Sequence, residues 1–406
     1  MDFQDSPDEA AFRSDVRSWL DANIGAYREP PAAEWPEDEF VRLARAWQRK
    51  KADAGYGAIL WSKALGGRGG TPMQAVIFAE EEARYHPPTG TFIKIGMGNA
   101  MPTILKHGSP EQLERFAGPT LRGEIAWAQL FSEPSAGSDL ANLRTRAVRD
   151  GDRWIVNGQK VWSSWAHQSD WGILLCRTDP DVPKHKGITF FVLDMKTPGI
   201  ELRPIRQISG KADFNETFLT DVVIPDSDRI GPVGSGWACA MTTLTGERIN
   251  AGTEVRSNIR QLIDAAASVP RGDGSVLDGS DARQRLARWY SREQGLRYFR
   301  FRMLTQLSKG GAAGAESALA KLAYATLLQE SSVFAMDLRG YAGLFETDTD
   351  PARAGIIEDY YWSSVLRIAG GSDEVLRNQL AERVLGQPGD PRADKNVPFN
   401  QIASGR

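Results

Sequence analysis

Glu247 is the residue of this sequence best suited to proton transfer. It stands in Met241-Thr-Thr-Leu-Thr-Gly-Glu-Arg-Ile-Asn250, next to Gly246. Apolar residues recur there at helical spacing, which predicts a helix with Glu247 near the edge of its apolar face. A carboxylic acid that a bound molecule shields from water has a raised pKa, so it can act as a base near neutral pH. Beside Arg248, the same carboxylate can also form an ordinary solvated charge pair. The apolar residues are Trp237, Met241, Leu244 and Ile249.

The segment Gln129-Leu-Phe-Ser-Glu-Pro-Ser-Ala-Gly-Ser-Asp-Leu140 predicts a strand that runs into a turn of small residues. Such a turn leaves backbone N–H groups and hydroxyls free to bind an anionic or heteroaromatic ligand. A plain polar turn has the same composition, and the residues alone do not decide between the two. Further along, Asn157-Gly-Gln-Lys-Val-Trp-Ser-Ser164 predicts a strand that carries an aromatic ring and hydroxyls.

A segment near the C-terminus, Ile368-Ala-Gly-Gly-Ser-Asp-Glu-Val-Leu-Arg-Asn378, predicts a glycine turn followed by a helix. Ser372 is suited to cap this helix, because a serine hydroxyl accepts from a free backbone N–H of the first turn. The N-terminus of a helix also attracts negative charge. The predicted buried stripe of the helix is Val375, Leu376, Leu380 and Val384.

Composition excludes several classes of function. A net charge of −3 gives no reason to expect nucleic acid as a partner. No apolar run approaches the roughly 20 residues that cross a bilayer. Cys176 and Cys239 stand far apart without a partner motif, so we expect neither a disulfide framework nor a metal site. The acidic start of the chain is unlike a secretory signal, and we therefore expect a cytoplasmic protein.

The 406 residues are more than one small core supports, and the element pattern divides them. We predict a helical domain over 1–125, a β domain over 126–234, a second helical domain over 235–390 and a loose tail over 391–406.

In the first helical domain, Phe12, Val16 and Leu20 recur at helical spacing. The acids Glu80–Glu82 of a predicted helix over 73–84 are expected to form a solvated face, although one of them could turn inward.

In the β domain, Asp150-Gly151 and Asn157-Gly158 predict hairpin turns. Several short strands between turn signals favour a compact barrel or sandwich.

In this order and spacing, the segments that begin at Gln129, Asn157 and Ile368 resemble the acyl-CoA dehydrogenase family over nearly the whole chain. The resemblance implies an α+β fold, with an N-terminal helical domain, a central β-barrel or sandwich domain and a C-terminal domain like a four-helix bundle. It implies FAD between the β domain and the C-terminal helices. It also implies oxidation of an acyl-CoA thioester to the 2-enoyl-CoA, with electrons passed to an electron-transferring flavoprotein.

The resemblance further assigns roles to individual residues, again as expectations. The backbone N–H of Gly370, together with a flavin hydroxyl, would polarise the thioester carbonyl, and Ser138 would lie near the CoA phosphates. The expected cofactor-binding residues are Gln129, Leu130, Phe131, Ser132, Trp162, Ser163, Ser164, Ser372 and Glu374. The expected substrate-binding residues are Ser138, Arg248, Gly370 and Gly371.

The resemblance also settles the interpretation of Glu247. Many members of the family carry the catalytic glutamate in the C-terminal loop, within Tyr-Glu-Gly-Thr. The corresponding position here is Gly370, and glycine cannot take a proton. Another group of the family places the base on the first helix of the C-terminal domain, in a Glu-Arg pair, where this chain has Glu247-Arg248. We therefore expect Glu247 to remove the Cα proton. Gly246 beside it could make room for a bulky acyl group.

Two family features are absent from the sequence. The Arg-x-x-Phe-Gly turn is replaced around Arg271, and Gln-x-x-Gly-Gly is replaced by Asp337-Leu-Arg-Gly-Tyr341. In the family the arginine of the first feature reaches the FAD pyrophosphate of a neighbouring subunit, and the second feature holds the adenosine half of FAD across the same interface. A homotetramer that binds FAD through other residues and an α2β2 heterotetramer with a related subunit both remain open. Thr-Gly-Glu-Arg with Ala-Gly-Gly-Ser is similar to the base-bearing subunit of bacterial steroid-degrading relatives.

Competing functions remain at this point. The same scaffold could support a flavin oxidase or monooxygenase, or a non-catalytic or half-site subunit of a heteromeric dehydrogenase. The sequence does not give the acyl group, which could be straight, branched or a steroid ring system. The histidines are scattered without a triad or metal spacing, so ordinary structural roles are expected for His86, His107, His167 and His185.

Overall fold

The structure is a computed structural model that forms two compact units, Met1–Glu247 with Asp390–Arg406, and Arg248–Gly389. Among the helices in its described part, none has both the length and the apolar character of a membrane span. The described residues are 5–29, 31, 34–253, 259–308, 317–338, 340, 351–389, 391 and 393–402, with the backbone alone for 247–253, 304, 307, 308 and 351–354.

The first unit begins with helices whose starts follow from local sequence. Ser6, Thr71 and Ser109 each form a capping box with the residue three positions later, and a proline follows each cap. The predicted stripe of Phe12, Val16 and Leu20 is confirmed, since all three side chains are buried. The helices are α1 Pro7–Asn23, α2 Glu37–Asp53, α3 Pro72–Glu82, α4 Thr91–Ile95, α5 Met101–His107 and α6 Pro110–Leu121.

One of the three consecutive acids on α3 turns inward. Glu81 is 3% exposed, and its carboxylate accepts from Arg13, Arg17 and Arg84 at 2.8–2.9 Å. Burial alone would raise the pKa of Glu81, but the surrounding guanidinium groups lower it to about 2. The carboxylate therefore joins α1 to α3.

The middle of the first unit is an eight-stranded mixed sheet in the order β6-β7-β3-β2-β4-β5-β8, with β1 paired in parallel to β4. Consecutive side chains of β4 point to opposite faces, as the period of a strand requires. Ile173 and Leu175 pack with the helices, whereas Leu174 and Cys176 pack against the layer that contains Trp154. The sheet therefore folds over itself and is covered by helices on one side. The strands are β1 Trp127–Leu130, β2 Arg146–Asp150, β3 Arg153–Ser164, β4 Trp171–Arg177, β5 Ile188–Asp194, β6 Ile200–Ile205, β7 Phe214–Pro225 and β8 Arg229–Ile230.

One of the two predicted hairpin turns is wrong. Gly151 has φ 66° in the tight turn from β2 to β3, as predicted. Asn157 and Gly158, in contrast, lie inside β3, where the register with β7 shifts between Val156 and Gly158. β3 therefore continues through the dipeptide, and the extra residue of this β-bulge lies on β7, where Thr220 and Asp221 face Asn157 alone.

The prediction of a loose tail is also wrong for residues 393–402. Phe399 is 8% exposed, and its backbone N–H donates to the carbonyl of Val182 at 2.9 Å. The aromatic ring and the backbone pairing outweigh the polar composition from which the tail was predicted.

The helix α7, Gly236–Thr253, leads from the first unit into the second, in which several helices share an apolar cluster. This cluster contains Leu262, Leu286, Trp289, Leu327 and Phe334. The elements of the second unit are α8 Ile259–Ser268, β9 Pro270–Arg271, β10 Gly274–Ser275, α9 Ser280–Ser308, α10 Ser317–Leu338, α11 Pro351–Leu366 and α12 Asp373–Arg383.

Candidate functional site

The predicted cofactor strand is β1 and the residues that follow it. Leu130 and Phe131 are almost fully buried, so their side chains belong to the core and only their backbone can meet a ligand. Gln129 is partly buried, and its Oε1 accepts from the Asn99 side chain at 2.7 Å. Ser132 is partly buried, and its carbonyl accepts from the backbone of Val161 at 2.9 Å.

The turn after β1 is fixed by a buried ion pair that the sequence did not reveal. Lys160 is fully buried, and its Nζ donates to the Glu133 carboxylate at 2.8 Å and to the Phe131 carbonyl at 3.1 Å. The same carboxylate accepts from the backbone of Arg144 at 2.7 Å and of Thr145 at 2.8 Å. Burial would raise the pKa of Glu133, but the Lys160 ammonium and these hydrogen bonds lower it below its ordinary value.

Ser138 lies in the turn that this ion pair anchors. An antiparallel bridge between Glu133 and Ala136 closes the turn on one side, and a short 3-10 helix, Leu140–Asn142, follows it. Ser138 is exposed, so its hydroxyl is accessible to a ligand. An exposed turn on a fixed base is a suitable place to bind a polar group.

Trp162 has an unusual backbone conformation at the end of β3. Its φ is 60°, and the register with β7 shifts between Lys160 and Ser163. The bulge leaves the indole 57% exposed, with its ring edge-on to Phe214 at 5.9 Å. A bulky residue with positive φ is strained, and such strain persists where function requires it.

The two serines after Trp162 differ in environment. Ser163 is fully buried, where its hydroxyl accepts from Thr217 at 3.3 Å and its carbonyl from Asn215 at 3.1 Å. Ser164 is partly buried. The surface that β3 offers to a ligand therefore consists of the Trp162 ring and Ser164.

His167 connects this strand to α2. Its Nδ1 lies 3.0 Å from the Asn215 side chain, and its Nε2 lies 3.0 Å from the Glu37 carboxylate. Because the same Asn215 amide nitrogen donates to Ser163, Nδ1 is the acceptor and Nε2 the donor. The ring stacks on Trp165, whose φ is 54°. His167 thus supports the bulge as a structural residue.

Helix α7 packs closely against the segment Gly96–Ala100, a single π-helical turn. A Cβ added to Gly246 would lie 2.5 Å from the Gly98 carbonyl oxygen. One turn earlier, the hydroxyls of Thr243 and Thr103 are 2.7 Å apart in the core. The expectation that Gly246 makes room for an acyl group is therefore wrong, because the backbone of Gly98 fills that space.

Glu247 and Arg248 both lie on α7, as the spacing predicted. Their side chains are outside the described part of the chain. The helical position of Glu247 therefore rests on the backbone, and its chemical role stays a prediction.

In the second unit, Gly370 and Gly371 have φ 69° and 102°. Only glycine adopts such conformations without a steric penalty. The Nζ of Lys321, a residue that is 3% exposed, donates to the Gly371 carbonyl at 2.7 Å. The Arg367 side chain binds the buried Asp373 carboxylate. The loop is therefore held rigidly from two sides.

The predicted cap is confirmed, since the Ser372 hydroxyl accepts from the Val375 backbone. The predicted stripe of α12 is confirmed only in part. Leu376 is fully buried, whereas Val384 is 46% exposed. Glu374 is exposed in the first turn of the helix.

The regions that depart from the family pattern are at the surface of the second unit. Arg271 is exposed in the short hairpin of β9 and β10, and Asp337 is exposed near the end of α10. The cysteines are unsuited to nucleophilic chemistry, because burial raises the pKa of Cys176 to about 12 and that of Cys239 to about 11.

Comparisons with known proteins agree with this geometry. The chain matches the N-terminal, middle and C-terminal domains of acyl-CoA dehydrogenases over residues 6–124, 128–222 and 234–385. It is 35% identical to acyl-CoA dehydrogenase IpdE1 of Mycobacterium tuberculosis, covering 94% of this chain and 98% of IpdE1. It is 42% identical to acyl-CoA dehydrogenase FadE34 of the same organism over 83% of this chain, but it spans only 45% of FadE34.

Solved structures of similar proteins share the fold of this chain. The ChsE4-ChsE5 complex from Mycobacterium tuberculosis matches with a TM-score of 0.81 at 27% identity, over 96% of this chain and 100% of the other. The Tcur3481-Tcur3483 steroid ACAD matches with a TM-score of 0.79 at 27% identity, over the same shares. The protein belongs to the acyl-CoA dehydrogenase family, and the predicted three-domain fold of helices, sheet and helices is confirmed.

Proposed function

We propose that this protein is an FAD-dependent dehydrogenase that converts an acyl-CoA thioester to its 2-enoyl-CoA, with Glu247 as the base. The observation that carries the proposal is the backbone of Gly370 and Gly371. Both residues have left-handed φ values, and a glutamate in such a conformation would cost roughly 1–2 kcal/mol. The backbone thus disfavours a carboxylate side chain at positions 370 and 371, which supports a base on α7.

The first unit offers features that suit a flavin ring. The indole of Trp162 is exposed on a strained bulge, next to the partly buried Ser164. A flat aromatic face of this kind favours stacking or edge contacts with another ring system. The backbone of 129–132 is fixed by Lys160, so its polar groups are preorganised. When bound, FAD supplies the acceptor for the hydride that leaves Cβ.

The chain's own contribution is proton removal and positioning. Glu247 takes the Cα proton, which becomes removable when hydrogen bonds polarise the thioester carbonyl; one such preorganised donor is worth about 3 kcal/mol. A substrate that excludes water from around the carboxylate raises the pKa of Glu247, because desolvation disfavours the charged form, and this makes it a better base near neutral pH. Ser138, exposed on its anchored turn, binds the polar end of CoA.

We propose that the acyl group contains a ring system, as in steroid degradation. Support comes from the likeness to the Tcur3481-Tcur3483 steroid ACAD at 27% identity. A panel of straight-chain, branched and steroid-ring acyl-CoAs, with products measured by mass spectrometry, tests this assignment. Faster turnover of a straight-chain thioester than of every ring-bearing one would contradict it.

A heteromeric assembly is the second part of the proposal. Asp337 is exposed where the family carries an amide for the adenosine half of FAD, and a carboxylate there would repel the negatively charged phosphate of that half. The structural likeness to the ChsE4-ChsE5 complex favours a related subunit that supplies this half. If the purified protein forms a homotetramer and binds one FAD per chain without a second protein, the heteromeric assembly is contradicted.

Anaerobic addition of acyl-CoA tests the reaction itself. The flavin absorbance of the loaded protein, with its partner if one is required, should bleach and recover slowly in air, with an electron-transferring flavoprotein as the effective acceptor. Fast recovery in air would instead indicate an oxidase or monooxygenase. A chain that stays colourless with every candidate partner would indicate a non-catalytic subunit.

The proposed location of the enzyme is the cytoplasm.

A further inference from the structure

Residues 393–402 pair with the loop between β4 and β5 rather than extending into solvent. The backbone N–H of Phe399 donates to the carbonyl of Val182, and that of Asn400 to the carbonyl of Pro180, both at 2.9 Å. These bonds fix the position of the C-terminal segment within the first unit.

The ring of Phe399 covers a buried cation. Its centroid is 3.8 Å from the Arg177 guanidinium carbon, and Arg177 is 3% exposed. The same guanidinium donates to the carbonyl of Ala141 at 2.6 Å and to that of Leu143 at 3.2 Å. Those carbonyls stand directly after the Ser138 turn in the chain. Phe399 therefore shields from water the cation that holds the end of this turn.

A second contact joins the same two segments independently. The Nζ of Lys184 lies 3.1 Å from both carboxylate oxygens of Asp139 and 2.6 Å from the Asp394 carboxylate. The Lys184 side chain is only 10% exposed. Asp139 is the neighbour of Ser138, so this lysine ties the turn to the C-terminal segment.

We propose that residues 393–402 position the Ser138 turn and thereby set the affinity for the phosphate-bearing half of CoA. This inference rests on the proposed function, which assigns Ser138 to CoA. Replacing Asp394 with a neutral residue would leave Lys184 with a single carboxylate partner. Replacing Phe399 with a smaller residue would expose Arg177 to water. The turn would then be more mobile before binding. Because ordering it on binding costs free energy, the protein would bind coenzyme A more weakly.

The test compares Asp394→Asn, Phe399→Leu and the double variant in the full chain. Gln401→Ala, an exposed position on the same turn as Phe399, is the matched control. Calorimetry measures the Kd of coenzyme A and of pantetheine, which lacks the phosphoadenosine half. KM and kcat are measured with an acyl-CoA and with the acyl-pantetheine thioester.

The double variant should weaken coenzyme A about tenfold, which is about 1.4 kcal/mol at 25 °C, and pantetheine by less than about twofold. The KM for the acyl-CoA should rise by a similar factor and the KM for the acyl-pantetheine thioester should change little, while kcat stays unchanged for both. Equal weakening of both ligands would assign the segment a general stabilising role and overturn the proposal. Unchanged affinity for coenzyme A would overturn it as well.

Asp394→Asn keeps the shape of the side chain, so it carries the test alone if the double variant fails to fold. Failure of the proposed function is distinguishable. If the wild-type protein binds coenzyme A but none of the acyl-CoAs bleaches its flavin absorbance, the proposed dehydrogenase activity is refuted. A selective loss of affinity for coenzyme A in the variants would still uphold the role of the segment. A wild-type protein that binds no coenzyme A would overturn both.

Discussion

Replacing Lys160 with methionine should destabilise the first unit while keeping its core volume. The ammonium makes two hydrogen bonds, one to Glu133 and one to Phe131, and is fully buried. The variant leaves the Glu133 carboxylate buried without its cation, a change that costs about 3–5 kcal/mol. Because the backbones of Arg144 and Thr145 still donate to that carboxylate, we expect the lower end, about 3 kcal/mol.

The assay is thermal and urea unfolding followed by far-UV circular dichroism. For domains of about 150–250 residues 1 kcal/mol shifts Tm by about 2–4 °C, and the first unit is only slightly larger, so the expected loss is roughly 6–12 °C. Lys186→Met is the matched control, because Lys186 is exposed and should change stability by less than about 0.5 kcal/mol. Adding Glu133→Gln to Lys160→Met should recover part of the loss.

The effect should depend on pH with a defined sign. In the wild type the pKa of Glu133 is lowered, so its contribution to stability is present above the unfolded pKa of about 4.5 and is lost as pH falls. In the variant, burial without Lys160 raises that pKa, and the penalty disappears once the carboxyl is protonated. The difference between wild type and variant should therefore shrink from pH 7 to pH 4. A loss below about 1 kcal/mol, or one independent of pH, would refute the reasoning.

Two further predictions concern packing and acid stability. Gly246→Ala places a methyl group against the Gly98 carbonyl and should destabilise the protein by about 1–3 kcal/mol; Gly295→Ala, which meets nothing within 4 Å on α9, should stabilise it by about 0.5–1 kcal/mol. Equal melting temperatures for the two variants would contradict the close contact. Glu81→Gln should lose about 2–3 kcal/mol at pH 7, and the loss should vanish as pH falls from 4.5 towards the Glu81 pKa of about 2. Exposed Glu114→Gln is the control, and a loss that persists at pH 2 would show that the arginine contacts are not responsible.

Local signals predicted those elements that local interactions decide. The stripe of Phe12, Val16 and Leu20 and the Ser372 cap each depend on residues within a few positions. The order of helices, strands and helices followed from the same periodicities. The turn predicted at Asn157-Gly158 was wrong because of a neighbouring strand. The dipeptide favours a turn only where no partner strand continues past it, and here β7 pairs with β3 on both sides of the dipeptide.

The long-range contacts of the site could not be predicted from local patterns in the sequence. Lys160 and Glu133 are 27 residues apart, and neither lies in a pattern that indicates burial. The positive φ of Trp162 depends on a register shift between two strands, which no local motif encodes. Phe399 in a polar segment was a usable signal, since a lone aromatic residue in a tail often docks on a cation or a core.

Glu247→Gln is the most direct test of the base. The variant keeps the size of the side chain, and stopped-flow absorbance measures flavin reduction by a saturating acyl-CoA after FAD content is matched to wild type. We predict a rate constant lower by about 10²–10⁴-fold, the usual contribution of a general base, with acyl-CoA affinity nearly unchanged. Reduction by the fully loaded variant at the wild-type rate would contradict proton removal by Glu247.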